Sequence, residues 1–178
     1  IWTQLPTLPW RPVFLPTVRQ PLSIPEDLGK ARWIEGVLPG EFMWNQDPFA
    51  RKPQVYRRDF PLERVGKGAT FQWASPAAYD YPLCLETEWA YAESGKRNRC
   101  EGWLNGSRFF AGSKDGFLHP VAVDRYLRPG ANTLIVVVYP SQGSRGLYAR
   151  LRLGTGSNKT EIVTDGSWTS IPHERVDL

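Results

Sequence analysis

The sequence predicts an all-β protein, an antiparallel β-sandwich of two sheets preceded by an extended proline-rich arm. Proline and glycine account for 16 residues each of 178, and there is a single methionine. A composition of this kind, with few helix-forming runs, favours short strands joined by turns. The chain is 41% hydrophobic and 22% charged, which excludes intrinsic disorder, and no apolar run approaches the ~20 residues of a membrane span. Its length fits one hydrophobic core.

The first 30 residues are predicted to form the arm. Six prolines fall in the first 25 residues; each lacks a backbone N–H and biases its predecessor towards extended geometry, so neither a helix nor a central strand is expected. Trp2 and Trp10 are large apolar side chains that a flexible linker rarely carries. We therefore expect residues 1–30 to lie across a folded body or a neighbouring domain, and residues 31–178 to form one sandwich domain.

About ten segments have the composition or alternation of strands. Val55–Phe60 alternates as a half-buried strand does, and Thr133–Tyr139 is an apolar, β-branched run that predicts a central core strand. The predicted strands are Ala31–Glu35, Val55–Phe60, Ala69–Ala74, Leu83–Ala92, Glu101–Leu104, Arg108–Ala111, Phe117–Val123, Thr133–Tyr139, Leu147–Leu153, Glu161–Thr164 and Trp168–Ile171. Asn105-Gly106 predicts a two-residue hairpin turn and Asp124–Gly130 a compact turn. Three tryptophans with apolar neighbours are predicted core residues: Trp33, Trp103 and Trp168.

Several sequence motifs then carry a family resemblance. They are Ala31-Arg32-Trp33-Ile34, Tyr56–Phe60, Trp103-Leu104-Asn105-Gly106, Leu127–Leu134, Gly146–Leu151 and Thr164–Trp168. In this order they resemble the galactose-binding-like jelly-roll domains of glycoside hydrolases, and most closely the N-terminal and rhamnose-binding modules of α-L-rhamnosidases. The resemblance covers about residues 31–171, and it implies an accessory module because no catalytic barrel accompanies it. The basic Tyr91–Cys100 segment and the proline-rich start depart from the family pattern.

Consecutive strands cross a sandwich, so the connecting loops are expected to alternate between its two ends. One end is predicted to collect Val37–Pro53, Ser75–Pro82, the Asn105-Gly106 turn and Asp124–Gly130. The other is predicted to collect Leu62–Gly68, Glu93–Arg99, Gly112–Asp115 and Pro140–Arg145. The first end is aromatic and acidic, and the second is basic.

The first end supplies the predicted carbohydrate-binding residues. A flat aromatic ring covers the C–H face of a sugar ring, while amide and carboxylate groups bond its hydroxyls in fixed directions. The candidates are Trp44, Asn45, Asp47, Tyr79, Asp80 and Tyr81. Asp47 and Asp80 could also bind calcium, which prefers oxygen ligands, and the resemblance adds weight because related rhamnose-binding modules use calcium. The alternative is that Trp44 and Phe49 only cover an edge of the core under a long loop.

The basic end would suit an acidic polysaccharide, because arginine pairs carboxylates bidentately. Nucleic acid is not expected as a partner: no basic run exceeds two residues, and a net charge of +4 is weak for backbone-driven binding. No membrane partner is expected either.

Cysteine count and glycosylation sequons bear on the compartment. Cys84 and Cys100 could form one disulfide over a loop of about 17 residues, which would contribute roughly 3 kcal/mol, or remain two thiols. Sequons at Asn105 and Asn158 favour the disulfide and a secreted protein. Two cysteines and two histidines at no ligand spacing argue against zinc.

These observations predict a non-catalytic carbohydrate-binding module of a secreted polysaccharide-degrading enzyme. Its ligand would be a plant or algal glycan, rhamnose-containing as the family resemblance alone implies, or acidic. Its partner would be a catalytic domain of the same parent protein. One alternative is a structural β-domain that packs on an α-L-rhamnosidase-like catalytic domain and binds no sugar. Another is a glycosidase fragment that lends a loop to a neighbouring active site. Hydrolysis by this chain alone is not expected, because no motif orders its carboxylates into a catalytic pair.

Overall fold

Two antiparallel sheets make up the fold of this chain in a computed structural model. The structure describes residues 10–15, 31–32, 34–36, 53–75, 98–112, 119–139, 146–154 and 159–172. The strands are β1 (Arg11–Phe14), β2 (Glu35–Gly36), β3 (Gln54–Leu62), β4 (Thr70–Ala74), β5 (Arg99–Leu104), β6 (Ser107–Gly112), β7 (Val121–Ala122), β8 (Gly130–Tyr139), β9 (Tyr148–Leu153), β10 (Thr160–Val163) and β11 (Thr169–Pro172). A 3₁₀ helix spans Asp124–Tyr126. Within the described ranges, no helix is long and apolar enough to cross a membrane.

The larger sheet has seven strands in the order β2-β1-β11-β3-β8-β5-β6, and the smaller has four in the order β10-β9-β4-β7. The predicted two-sheet sandwich is therefore confirmed. β8 lies between β3 and β5 in the larger sheet, which confirms the prediction of a central strand for the apolar run. The predicted Leu83–Ala92 strand lies outside the described residues.

The hydrophobic core fills the space between the sheets. The larger sheet contributes Tyr56 and Val136, and the smaller sheet contributes Phe71 and Trp73, all of which are buried. The Trp73 ring stacks on Phe110 with 5.0 Å between ring centroids. Each such side chain stabilises the fold by roughly 1.5–3 kcal/mol when fully buried, so the core accounts for the close association of the two sheets.

Part of the proline-rich arm is a strand inside the larger sheet, contrary to the prediction that no internal strand forms there. β1 pairs with β11 through Arg11 and Pro12, and with β2 through Val13 and Phe14. Each pairing is only two residues long. Pro12, which cannot donate a ladder hydrogen bond, is therefore accommodated without breaking a long ladder.

Two of the three tryptophans predicted as core can be located. Trp168 is 1% exposed and its indole Nε1 donates to the Val163 carbonyl at 2.9 Å, which confirms its core position. The prediction for Trp103 is wrong. Side chains alternate between faces along a strand, and because Cys100 and Leu104 of β5 enter the core, half-buried Trp103 occupies the outer face beside Ile135. Trp33 lies outside the described residues.

The predicted hairpin at Asn105-Gly106 is confirmed. Both residues have positive φ values, 50° and 84°, as a type I′ turn requires. The β5–β6 register shifts at Gly102 and Trp103, and beyond the shift Phe109 and Phe110 both pack against the core. A Cβ at Gly102 would overlap the Phe110 ring, so the bulge and the glycine together admit two adjacent aromatic side chains.

Candidate functional site

One end of the sandwich, here called the Ser75 end, is held together by a buried polar contact between the sheets. Ser75, which follows β4, donates from its hydroxyl to the Gly146 carbonyl at 2.6 Å. Asn98, which precedes β5, donates from its side-chain amide to the same hydroxyl at 3.1 Å and from its backbone N–H to the Ser75 carbonyl at 3.0 Å. Ser75 and Asn98 are both fully buried. These bonds fix the two residues that border segment 76–97 and one that borders segment 140–145.

Segment 37–52 is bordered at the same end by a second set of contacts. The backbone N–H of Gly36 donates to the Tyr56 hydroxyl at 3.2 Å. A Cβ at Gly36 would overlap the side chain of Gln54, so glycine allows the two bordering strands to approach closely. Gln54 and Tyr56 are buried, and the base of this segment is therefore closely packed.

Strand pairing shows which described residues share this end. Gln54 pairs with Val138, Arg99 with Tyr139, and Cys100 with Gly112. The bordering residues of four segments thus lie together at this end: 37–52, 76–97, 113–118 and 140–145. The exception is His119, which follows segment 113–118 and precedes β7. The opposite end, the Asn105 end, holds the Asn105-Gly106 turn, the Asp124–Gly130 turn and the connection from β3 to β4.

The predicted distribution of loops between the two ends is therefore wrong in part. Leu62–Gly68 lies opposite the border of segment 37–52, as predicted. The Asn105-Gly106 and Asp124–Gly130 turns were expected beside that segment, but they lie at the other end. The bordering residues Asn98, Gly112 and Tyr139 were expected at the basic end, but they lie beside Gln54 and Ser75.

All six predicted carbohydrate-binding residues belong to segments that lie outside the described residues. They are Trp44, Asn45, Asp47, Tyr79, Asp80 and Tyr81. The structure describes the ends between which these segments run, and the roles of the six side chains stay predictions. No group of three or more potential metal-binding side chains occurs in the described part of the chain. Calcium binding by Asp47 and Asp80 likewise remains a prediction.

Cys100 belongs to the interior of the Ser75 end. It is fully buried and is a free thiol in the structure. Burial raises the pKa of this thiol far above the ordinary range for cysteine, because the thiolate would lose its hydration. Cys84, the other partner of the predicted disulfide, lies outside the described residues. The disulfide therefore remains a prediction.

The Asn105 side chain is part of a hydrogen-bond network at the opposite end. Its Nδ2 donates to the Tyr126 carbonyl at 2.9 Å and to Asn132 Oδ1 at 2.8 Å, while its Oδ1 accepts from Thr133 N–H at 3.0 Å. An N-linked glycan would be attached to the same Nδ2 atom. Glycosylation at Asn105 stays a prediction, and a glycan there would replace the hydrogen bonds that Nδ2 donates in this network. Asn158, the other predicted acceptor, lies outside the described residues.

A mixed group of charged and aromatic side chains occupies the outer face of the larger sheet next to the Ser75 end. We call it the Glu101 patch: Arg99, Glu101, Trp103, Arg108 and Tyr139. Arg99 Nη2 lies 2.7 Å from Glu101 Oε1, and its guanidinium lies 5.1 Å from the centroid of the Tyr139 ring. Burial, followed by the nearby Glu101 carboxylate, raises the pKa of Tyr139 to about 12.

The sequence analysis missed this patch because it placed Arg99 in a basic loop, Arg108 in a separate strand and Trp103 in the core. The period-two alternation along β5 predicts that its side chains in this patch share one face of the sheet. Arg99, Glu101 and Trp103 occupy alternate positions of one strand, and alternate positions share a face.

Comparison with known proteins supports the fold at low sequence identity. No protein-family profile matches the chain, and no curated protein does. The α-L-rhamnosidase of Streptomyces avermitilis, solved with L-rhamnose, superposes with a TM-score of 0.53 and 19% identity over 97% of this chain. That of Aspergillus terreus gives a TM-score of 0.54 and 16% identity over 84%. A lectin of Pleurotus ostreatus, solved with GalNAc, gives 0.50 and 17% identity over 88%.

This chain is much shorter than those proteins. It spans 15% and 17% of the two rhamnosidase chains and 39% of the lectin chain. At these identities the similarity establishes a shared fold. It confirms that this chain resembles part of the α-L-rhamnosidases in its β-sandwich fold.

Proposed function

We propose that this chain is a non-catalytic carbohydrate-binding module of a larger, secreted polysaccharide-degrading protein. Its binding surface would lie at the Ser75 end, and its ligand would be a rhamnose-containing or acidic plant or algal glycan. The observation that carries the proposal is the joining of both ends of segment 76–97 by buried Ser75 and Asn98. Binding sites are commonly formed by surface segments on a rigid scaffold, and this end supplies such a scaffold.

The chemistry of the bordered segments supports a sugar ligand. Segment 37–52 contains Trp44, Asn45 and Asp47, and segment 76–97 contains Tyr79 and Asp80. Aromatic faces and directional polar groups are the combination that orients a pyranose. The similar solved structures include two α-L-rhamnosidases and a lectin, and one rhamnosidase was solved with L-rhamnose and the lectin with GalNAc.

An acidic glycan is supported by basic residues in the same segments. Segment 76–97 ends in Lys96-Arg97, and Lys114 and Arg145 belong to the two other segments bordered at the Ser75 end. Lysine and arginine would pair the carboxylates of uronic acid residues. A calcium ion on Asp47 and Asp80 is a further part of the proposal, because carboxylate oxygens suit this hard cation.

Substitution of Trp44 tests the proposal. A glycan array with rhamnose, galactose and uronic-acid oligosaccharides would first identify a ligand, and titration calorimetry would measure its affinity. Trp44→Ala is expected to weaken binding about fivefold to 150-fold and leave the melting temperature within about 2 °C, because loss of one stacked ring costs about 1–3 kcal/mol of binding. Trp10→Ala, a tryptophan substitution on the outer sheet face, is the matched control and should leave affinity unchanged.

Three outcomes would contradict parts of this proposal. A large fall in melting temperature for Trp44→Ala would identify Trp44 as a core residue. Unchanged affinity after treatment with EDTA would exclude the calcium site. A blank array would favour the structural alternative, in which the domain packs on a catalytic domain.

The outer face of the larger sheet bears on the structural alternative. Val55, Val137 and Ile171 form a second buried apolar cluster, with Trp10 packed against it, on the face of the larger sheet that points away from the core. Val55 and Val137 are both 0% exposed. A sheet that is apolar on both faces is typical of strands covered on both sides. Because Val55 and Val137 are already covered within this chain, they leave no exposed apolar surface for a catalytic domain.

A further inference from the structure

The Glu101 patch is built entirely on strands. Its members come from β5, β6 and β8, which are adjacent in the larger sheet, and Trp103 pairs directly with Arg108 of β6 and Ile135 of β8. Side chains on paired strands have restricted positions, and sites on strands are held more accurately than sites on loops. The relative positions of the rings and charges are therefore fixed by the fold.

Charge within the patch is unbalanced. Glu101 accepts from Arg99 at 2.7 Å and lies 3.9 Å from Arg108 Nη1, so two guanidinium groups share one carboxylate. The Arg99 and Arg108 side chains are 40% and 54% exposed, whereas that of Glu101 is 7% exposed. The accessible part of the patch is thus cationic, and the anion lies beneath it as the group that orients Arg99.

Aromatic rings flank these guanidinium groups. Arg99 lies over the Tyr139 ring, which holds the guanidinium plane through a cation–π contact, and half-buried Trp103 lies on the same face. A guanidinium held in a fixed plane presents paired N–H donors that match a carboxylate bidentately. A ring beside it suits the C–H face of a sugar.

From this geometry we infer that the Glu101 patch binds the uronic acid residues of an acidic oligosaccharide. The inference assumes the proposed carbohydrate-binding function but uses none of the residues of the segments at the Ser75 end. The patch borders that end through Arg99 and Tyr139. An extended chain could therefore contact both surfaces, and linked contacts raise the overall affinity of a repeating polymer.

Binding of oligogalacturonate to the whole chain tests the inference, with fully methyl-esterified oligogalacturonate as the neutral counterpart. The esterified probe is expected to bind at least tenfold more weakly. Arg108→Gln is expected to raise the dissociation constant of the acidic probe about tenfold. That factor corresponds to about 1.4 kcal/mol, which is close to the lower limit for one charge-assisted hydrogen bond.

Arg152→Gln is the matched control because it removes the same charge from the other sheet. Arg152 pairs with Glu161 at 2.8 Å on β9 and β10, and its substitution should leave the affinity for oligogalacturonate within about twofold. Equal weakening by Arg108→Gln and Arg152→Gln would overturn the inference, because it would reveal a response to net charge alone. Equal binding of the acidic and esterified probes would also overturn it.

A comparison with Trp44→Ala separates this inference from the proposed function. Loss of acidic binding in Arg108→Gln with retention of neutral-sugar binding supports a distinct acidic surface. Loss of acidic binding in Trp44→Ala with none in Arg108→Gln overturns the inference and leaves the proposed function intact. Trp103→Leu, which removes the ring and keeps an apolar side chain, should weaken binding of the acidic probe severalfold. Unchanged affinity there would exclude stacking on Trp103.

Discussion

Replacement of Asn132 by alanine is expected to destabilise the Asn105 end by about 2–3 kcal/mol. The side chain is 1% exposed and makes four hydrogen bonds. Its Nδ2 donates to the carbonyls of Arg128 at 2.7 Å and Gly130 at 3.0 Å. Its Oδ1 accepts from Arg128 N–H at 3.0 Å and from Asn105 Nδ2 at 2.8 Å. The amide therefore ties the Asp124–Gly130 turn to the β5–β6 hairpin.

The magnitude follows from the number of bonds and from where their partners lie. A typical hydrogen bond contributes about 1 kcal/mol net, so four would give roughly 4 kcal/mol. Arg128 and Gly130 are exposed, and water can replace part of what their backbone groups lose. The remaining 2–3 kcal/mol corresponds to a fall in melting temperature of about 4–12 °C for a domain of this size.

Urea denaturation monitored by tryptophan fluorescence would measure this loss directly. Thr133→Val is the control: it removes one solvent-exposed bond of 2.6 Å to Asp59 and should cost less than about 1 kcal/mol. A loss below about 1 kcal/mol for Asn132→Ala, with an unchanged denaturant slope, would refute the assignment of the network as a stabilising element.

Asn132→Asp adds a pH signature to the same experiment. A carboxylate would place an acceptor opposite the Arg128 and Gly130 carbonyls, and burial would further disfavour the charged form. The pKa of the introduced group would thus be higher in the folded than in the unfolded chain. Stability is retained below the unfolded value, near 4, and is lost as pH rises through the folded value. Asn132→Asp should therefore be closer to the parent at pH 4 than at pH 7, whereas Asn132→Ala should show no such difference.

Two further predictions concern β5 and β8. Gly102→Ala is expected to destabilise the fold by about 1–3 kcal/mol, because its Cβ would overlap the Phe110 ring; an effect below about 0.5 kcal/mol in urea denaturation would show that the ring moves aside freely. Tyr139 has its pKa raised to about 12, first by burial, so its contribution to stability is present below the ordinary value near 10 and is lost between about pH 10 and 12. Between about pH 10 and 12, the melting temperature should fall less steeply with pH for Tyr139→Phe than for the parent. Parallel pH profiles for the two proteins would contradict the raised pKa of Tyr139.

The elements that could be predicted from the sequence are those that local chemistry determines. Asn105-Gly106 provides two positive φ values in succession, which few other dipeptides tolerate. The run Thr133–Tyr139 is too apolar and β-branched for any place but a central strand. β1 was not predicted because a proline lacks the N–H that a central strand donates to its neighbours. An internal position for β1 is possible because its pairings with β11 and β2 are each only two residues long.

The site was less predictable, because it depends on how many times the chain crosses the sandwich. From Asn98 onwards, the described residues at the strand ends lie at the end opposite to the predicted one, whereas Leu62–Gly68 and Ser75 lie where they were predicted. The alternation rule required Ser75 and Asn98 to lie at opposite ends, but a hydrogen bond of 3.1 Å joins their side chains. One miscounted crossing inverts every later assignment, since each strand carries the chain from one end to the other.

That inversion changes the chemistry expected of the molecule. The sequence suggested an aromatic, acidic end and a separate basic end, with a different ligand for each. Pairing of Gln54 with Val138 and of Arg99 with Tyr139 instead places the borders of the aromatic segments beside the borders of the basic ones. On the proposed function, a ligand at this end would meet cations and aromatic rings together, as an acidic sugar requires. Tests with neutral sugars alone would therefore underestimate the affinity, and the difference between acidic and esterified probes is the more discriminating measurement.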